Sequence, residues 1–240
     1  MNLILLFDDD FVSPEKVRIS GRRLEHIIKV HRSQIGDKLT VGLLNSKIGT
    51  GKVLTISSQQ IELEVILDHE PPEPIPLTLI IALPRPKMLK RILQSAASLG
   101  IKKIYLINSW RVEKAFWSSP LLEPERLKNE LLLGLEQAKD TLMPEIHLKR
   151  LFKPFVIEEL SMLTKGSLDN KPIALAAHPK AVLPCPQNID QSAILAMGPE
   201  GGFIDIEIET LERIGFCTVN LGRRILRLET AVPFIVSKLF

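Results

Sequence analysis

Residues 197–231 read MGPEGGFIDIEIETLERIGFCTVNLGRRILRLETA. Two glycine-bearing turns stand in this stretch, GPEGG at 198–202 and LGRR at 221–224. Each follows a strand-length apolar run, SAILAMG (192–198) or TVNLG (218–222), and each leads into a helical pattern. A strand that ends in a glycine turn and is followed by a helix is the repeating unit of a parallel α/β sheet. Ligands of such sheets bind beyond the carboxyl ends of the strands. Those ends carry Glu200, Arg223, Arg224, Arg227 and Glu229.

The same rhythm extends upstream to residue 77. LTLIIAL (77–83) is continuously apolar, as a strand covered on both faces should be. Pro86 to Leu99 has Leu89, Ile92, Leu93 and Ala96 at helical core spacing and Gly100 placed to end it. KIYLI (103–107), a helix opened by Pro124, EIHLK (145–149), a helix over Pro154–Leu163 and KPIALAAHP (171–179) continue the alternation. The last helix takes Phe234, Ile235, Leu239 and Phe240.

Residues 1–70 read differently. LILLF (3–7), LTVGLL (39–44), GKVLTI (51–56) and QIELEVIL (60–67) are strands, broken by one helix at about Arg22–His31. Short strands around one helix predict a small β-barrel. Between the two regimes lies EPPEPIP, with four prolines in residues 71–76. Proline cannot continue a sheet or helix interior, so this is the expected linker. The division is therefore 1–70, 71–76 and 77–240.

Composition excludes several classes. A chain of 240 residues that is 45% hydrophobic and 25% charged builds real cores. Its net charge of +3 fits a local basic surface. Cys185 and Cys217 form neither a CxxC pair nor a metal cluster, which predicts a reduced, cytoplasmic setting and no metal. MNLILLFDDD lacks a basic n-region and a cleavage site, and LTLIIAL is too short to span a bilayer, so no membrane association is expected. No GxGxxG follows the first strand and no GxxxxGK[ST] occurs, so neither a dinucleotide dehydrogenase nor a P-loop enzyme is supported.

Three turns occupy strand ends: Ala176–Pro179, Gly198–Phe203 and Gly222–Arg227. In GPEGG the glycines let the backbone approach a ligand and Glu200 is a lone carboxylate between them; a plain turn with a solvated glutamate fits as well. Asp205 is the expected cap of the next helix. In LGRRILRLETA, the arginines suit phosphate or planar-base recognition through forked donors, and Ile225 with Leu226 suggests a pocket wall. The bland alternative is a surface basic cluster paired with Glu229.

GPEGGF, the helix ended by Gly215 and V-x-LGRRILRLETA together resemble the signature of RsmE-type 16S ribosomal RNA uridine-N3 methyltransferases, members of the SPOUT superfamily. Gly21-Arg22, His26, Val30-x-Arg32 and Gly36-Asp37 resemble that family's N-terminal PUA-like barrel. Lys87, Lys90, Leu99-Gly100, Glu136-Gln137 and Pro144 extend the match over nearly the whole chain. Two positions depart: Ile204 stands where Ser or Thr is common, and AKDTLMP after Gln137 lacks the usual Ser and Arg.

The resemblance implies a knotted α/β domain (a deep trefoil), a homodimer, 16S rRNA of the small ribosomal subunit as substrate and S-adenosyl-L-methionine as cofactor. Ordinary topology rules argue against a knot, so only the resemblance carries it. It implies cofactor contacts from Leu175, Ala176, Ala177 and His178, from Met197, Gly198, Pro199, Gly201 and Gly202, and from Leu221, Gly222, Ile225 and Leu226. Arg227 is the expected stabiliser of an anionic base, and Glu200 or Glu229 the proton acceptor. His178 is expected to be structural or to bind through its backbone. Arg22, His26, Arg32, Lys87, Arg111 and Arg223 are candidate RNA contacts, each about as well explained as a solvated charge. Trp110 and Trp117 are read as core or dimer contacts ahead of base stacking. The competing readings are a methyltransferase acting on another RNA or base, and a barrel-plus-platform protein that binds RNA without modifying it.

Overall fold

The computed structural model describes residues 2–166 and 171–240. The chain divides into two compact units, one of residues 1–73 with 131–143, the other of residues 74–130 with 144–240.

The first unit holds one six-stranded sheet with the order β1-β4-β5-β6-β3-β2. Its strands are β1 (Ile4–Leu6), β2 (Phe11–Ser13), β3 (Lys16–Ile19), β4 (Lys38–Leu43), β5 (Ile48–Ile56) and β6 (Ile61–His69). β1 pairs parallel with β4, and every other pairing is antiparallel. Alternation drives the burial: Val17 and Ile19 of β3 and Ile61, Leu63 and Val65 of β6 point inward, with Lys16 and Arg18 outward. Helix α1 (Gly21–His26) continues as a π-helical turn, Ile27–His31, and closes at Arg32 in the left-handed region (φ 55°). Leu24 and Ile27 put its apolar side into the core.

Two features here escaped the sequence. β2 and β3 are three and four residues long, too short for period 2 to register against their charges. Residues 131–143, placed by sequence with the C-terminal domain, group with the first unit. Arg22 forms a bidentate ion pair with Glu136 (2.9 and 2.7 Å), and the Asn2 and Leu3 amides donate to the Glu136 carbonyl.

The second unit alternates strand and helix. In chain order it contains β7 (Leu77–Ala82), α2 (Pro86–Ser98), β8 (Lys103–Ile107), the opening turns of α3 (Pro124–Ala138) and β9 (Glu145–Lys149). Next come α4 (Phe152–Pro154), a π-helical segment Phe155–Leu160 and α5 (Ser161–Lys165). β10 (Ile173–Ala177), β11 (Ala193–Met197), α6 (Asp205–Arg213), β12 (Cys217–Val219) and α7 (Leu228–Leu239) complete it. The sheet order is β12-β10-β11-β7-β8-β9 and every pairing is parallel, giving the expected α/β architecture. β11 is buried along its whole length, as an inner strand of a doubly covered sheet must be. α2 packs against α7, with Leu89, Ile92 and Leu93 facing inward on one and Val232, Ile235 and Leu239 on the other. Because the strands are parallel, β7, β10, β11 and β12 all deliver their following loops to one edge of the sheet. Among the described residues no helix is long and apolar enough to cross a membrane.

Candidate active site

At that edge lies a cleft of roughly 700 Å3. Ala177, His178 and Pro179 bound it after β10, Met197 to Glu200 with Gly202 after β11, and Leu221 with Ile225 to Glu229 after β12. Arg85, Lys87, Met88 and Arg91, at and within the start of α2, close the remaining side. The walls therefore mix apolar side chains with backbone at three strand ends, and the rim is cationic.

The GPEGG loop is built tightly. The Gly202 amide donates to the Pro199 carbonyl (2.7 Å), with Gly202 at φ 72°. A Cβ at Gly198 would stand 2.6 Å from the Phe203 nitrogen, so no larger residue fits without moving backbone. Helix α6 then starts at Asp205, but Asp205 is not its cap. Glu207, buried in the third helical position, accepts from the Ile204 amide (3.0 Å) and from the Trp110 amide (2.8 Å). The cap is thus supplied from N3 because Ile204 has no acceptor to offer at the N-cap. A glutamate three residues after the N-cap was the signal available in the sequence. Arg111 donates to the Gly201 carbonyl, and its Cδ lies 2.9 Å from where a Gly201 Cβ would project. The loop after β8 therefore braces the loop after β11.

Two carboxylates face the cleft in different states. Glu200 accepts from Arg85 Nε (3.2 Å), with its side chain 33% exposed. Glu229, in the first turn of α7, is 17% exposed. Its Oε1 lies 3.6 Å from Arg91 Nη1, while its Oε2 is buried with no hydrogen-bond partner among the described residues. A carboxylate oxygen left in that condition on a cleft wall is a place for a ligand donor. Arg227 is the N-cap residue of α7 and also lines the cleft.

The structure sorts the sequence candidates. Ala177, His178, Met197, Gly198, Pro199, Gly202, Leu221, Ile225 and Leu226 border the cleft, as do Arg227, Glu200, Glu229 and Lys87. Leu175 and Ala176 do not: they are 2% and 0% exposed inside β10, where they pack the sheet. Gly201 turns its carbonyl to Arg111, the Gly222 amide is held by Asn220 Oδ1 (3.1 Å), and neither is among the residues that line the cleft. His178 Nδ1 accepts from the Lys180 amide (3.3 Å). Arg22 pairs with Glu136 through both Nη atoms while its side chain stays 55% exposed, and Arg111 donates to the Gly201 carbonyl. His26 meets His31 edge-on at 5.0 Å. Arg32 and Arg223 are exposed. Trp110 is 80% exposed, which excludes the core half of its expectation and leaves the dimer contact, whereas Trp117 donates to Asn108 Oδ1 (2.9 Å) under the Arg150 guanidinium. Arg85, Arg91, Glu207 and Asn220 were not singled out in the sequence. Among the described residues no three His, Cys, Asp or Glu side chains converge as a metal site.

Comparison with known proteins points the same way. The family of the RNA methyltransferase domain matches residues 71–239. Ribosomal RNA small subunit methyltransferase E of Treponema pallidum is 29% identical over 243 residues, covering 96% of this chain and 87% of its own. The protein of that name from Synechocystis sp. is 30% identical over 253 residues, covering 95% and 75%. Among solved structures, the Neisseria gonorrhoeae ribosomal RNA small subunit methyltransferase E bound to S-adenosyl methionine superposes with a TM-score of 0.74 at 21% identity, covering 99% of this chain and 95% of its own. A putative methyltransferase of Legionella pneumophila in complex with the same cofactor gives 0.72 at 22% identity, with 99% and 96% covered. At these identities the two structures establish the fold.

Proposed function

The chain belongs to the RNA methyltransferase family, with relatives named ribosomal RNA small subunit methyltransferase E, and from that premise we propose that it methylates N3 of a uridine in 16S ribosomal RNA, using S-adenosylmethionine. The observation that carries this reading is the cleft at the shared edge of β10, β11 and β12, with its cationic rim and its half-satisfied carboxylate.

The residues present fit the cofactor. A mixed wall of Met197, Leu221, Ile225 and Leu226 with strand-end backbone suits a purine, which needs an apolar face and edge hydrogen bonds. The bare backbone at Gly198, where a Cβ would collide, is what close approach requires. When bound, S-adenosylmethionine supplies an electrophilic methyl on a sulfonium whose sulfur leaves as a neutral thioether.

The chain's own residues handle charge and proton. Uridine N3 carries a hydrogen, and the nitrogen is a poor nucleophile until that hydrogen leaves. Glu229 Oε2 is the acceptor we assign: it is buried, its residue lines the cleft, and it has no donor among the described residues. Arg91 stands beside the other oxygen (3.6 Å), which leaves Oε2 as the one we turn to the substrate. Glu200 is engaged by Arg85 at the more exposed side, which suits orienting substrate more than proton transfer. Arg227 places fixed positive charge where the deprotonated base develops its negative charge. Lys87, Arg223 and Arg224 provide phosphate contacts beside the cleft.

The finer architecture belongs to the same reading. We assign the first unit as a PUA-like RNA-binding barrel, the second as a trefoil-knotted SPOUT domain, and the working form as a homodimer. N3 lies on the pairing edge of uracil, so its methylation blocks reverse transcription. Primer extension on 16S rRNA from a strain lacking its own enzyme, complemented with this chain, should show a stop at a uridine absent from the uncomplemented strain. An unchanged extension pattern with the chain well expressed would refute the assignment.

A further inference from the structure

We propose that Asn220 is a positioning residue that clasps two of the three cleft loops together and thereby sets cofactor affinity. The proposal rests on the reading of the cleft as the S-adenosylmethionine site.

Asn220 follows β12 at the sheet's edge. Its Nδ2 faces three carbonyls of the loop after β10, those of Ala181 (3.0 Å), Val182 (3.2 Å) and Leu183 (3.1 Å). Its Oδ1 accepts from the Gly222 amide (3.1 Å), at the entry to the loop carrying Leu221, Ile225 and Leu226. Its backbone does the same: the Asn220 amide donates to Leu183 and its carbonyl accepts from Cys185.

At Ala181 and Val182 the Asn220 side chain adds what the backbone bonds at Leu183 and Cys185 do not reach. Val182 and Leu183 are 91% and 57% exposed, so apolar burial does not anchor them. Gly222 sits at φ 115°, a backbone state available chiefly to glycine, and the Asn220 carboxamide oxygen is what its amide meets there. The chemistry demands a carboxamide. Aspartate has no donor for the carbonyls, lysine and arginine have no acceptor for the Gly222 amide, and glutamine is one methylene longer. A cleft whose walls come from separate loops binds weakly when those loops sample open states, because affinity falls with the fraction of competent conformers.

The test compares wild type, Asn220→Ala and Asn220→Asp by calorimetric titration with S-adenosylmethionine and by methyl transfer to small ribosomal subunits. Loss of the clasp should raise Kd and KM for S-adenosylmethionine roughly tenfold. At saturating cofactor, kcat and KM for the subunits should stay within about twofold. A folded Asn220→Ala protein with wild-type cofactor affinity would overturn the proposal. If that variant does not fold, Asn220→Asp, which keeps the shape and the Gly222 contact, decides. Its cofactor affinity should fall as that of Asn220→Ala does, because the carboxylate keeps an acceptor for the Gly222 amide and loses the donor to the carbonyls; wild-type affinity would overturn the proposal. Failure of the wild type itself to bind S-adenosylmethionine would instead refute the reading of the cleft.

Discussion

Arg91 Nη1 lies 3.6 Å from Glu229 Oε1, while Glu229 Oε2, on the same carboxylate, is buried in the cleft wall without a hydrogen-bond partner among the described residues. Arg91 comes from α2 and Glu229 from the first turn of α7, two helices that pack together. The two oxygens of Glu229 therefore stand in different surroundings, one beside a guanidinium and the other buried in the cleft wall.

This asymmetry predicts unequal effects of removing the two carboxylates. Glu229→Gln should lower kcat by about a hundredfold or more, the usual loss of a general base. Glu200→Gln should cost clearly less and act mainly through KM for RNA. Steady-state kinetics on both variants check this, and equal losses in kcat would remove the assignment of the proton to Glu229.

Arg227 should behave as a transition-state residue. Arg227→Ala should lower kcat on the order of a hundredfold, with cofactor Kd nearly unchanged. Near wild-type turnover would take Arg227 out of the mechanism.

Gly198 sets the closeness of backbone to ligand. A Cβ there would lie 2.6 Å from the Phe203 nitrogen. Gly198→Ala should therefore destabilise the protein by about 1–3 kcal/mol and weaken cofactor binding. Thermal melts with and without S-adenosylmethionine would read both effects, and an unaffected affinity would show that this backbone does not contact the cofactor.

Arg22 separates a structural from an RNA-contact role. Glu136 has a side chain only 2% exposed, and Arg22 covers both its oxygens. Arg22→Ala should lower stability by roughly 1–3 kcal/mol, since it leaves a buried carboxylate short of donors. Denaturant unfolding measures this, and unchanged stability with reduced RNA affinity would restore the phosphate-contact reading.

The thiols should differ sharply. Burial pushes the Cys185 thiol up from its ordinary range, with nearby Lys238 opposing only in part, whereas Cys217 is exposed. At neutral pH a thiol reagent should label Cys217 in the native protein and reach Cys185 on unfolding. Equal native rates would contradict the packing around Cys185.

What the sequence revealed and what it hid divide along physical lines. β8 and β9 were legible to the residue because KIYLI and EIHLK are bounded by clear breaks. The glycine turns were legible because few chemistries place GPEGGF ahead of LGRRILRLETA. Side-chain partners were not: the apolar face of α3 is readable, but not that residues 131–143 pack with the first unit. The resemblance put Leu175 and Ala176 among the cofactor contacts, whereas both are buried within β10, and period-2 alternation carries no information in a strand buried on both faces. Arg111 reads as a surface cation until its distant acceptor, the Gly201 carbonyl, is known.

The most direct measurement is transfer of labelled methyl from S-adenosylmethionine to small ribosomal subunits from a strain lacking its own enzyme, with the product nucleoside identified. The account predicts label in 3-methyluridine. Label in any other nucleoside, or none while the cofactor binds, would contradict it.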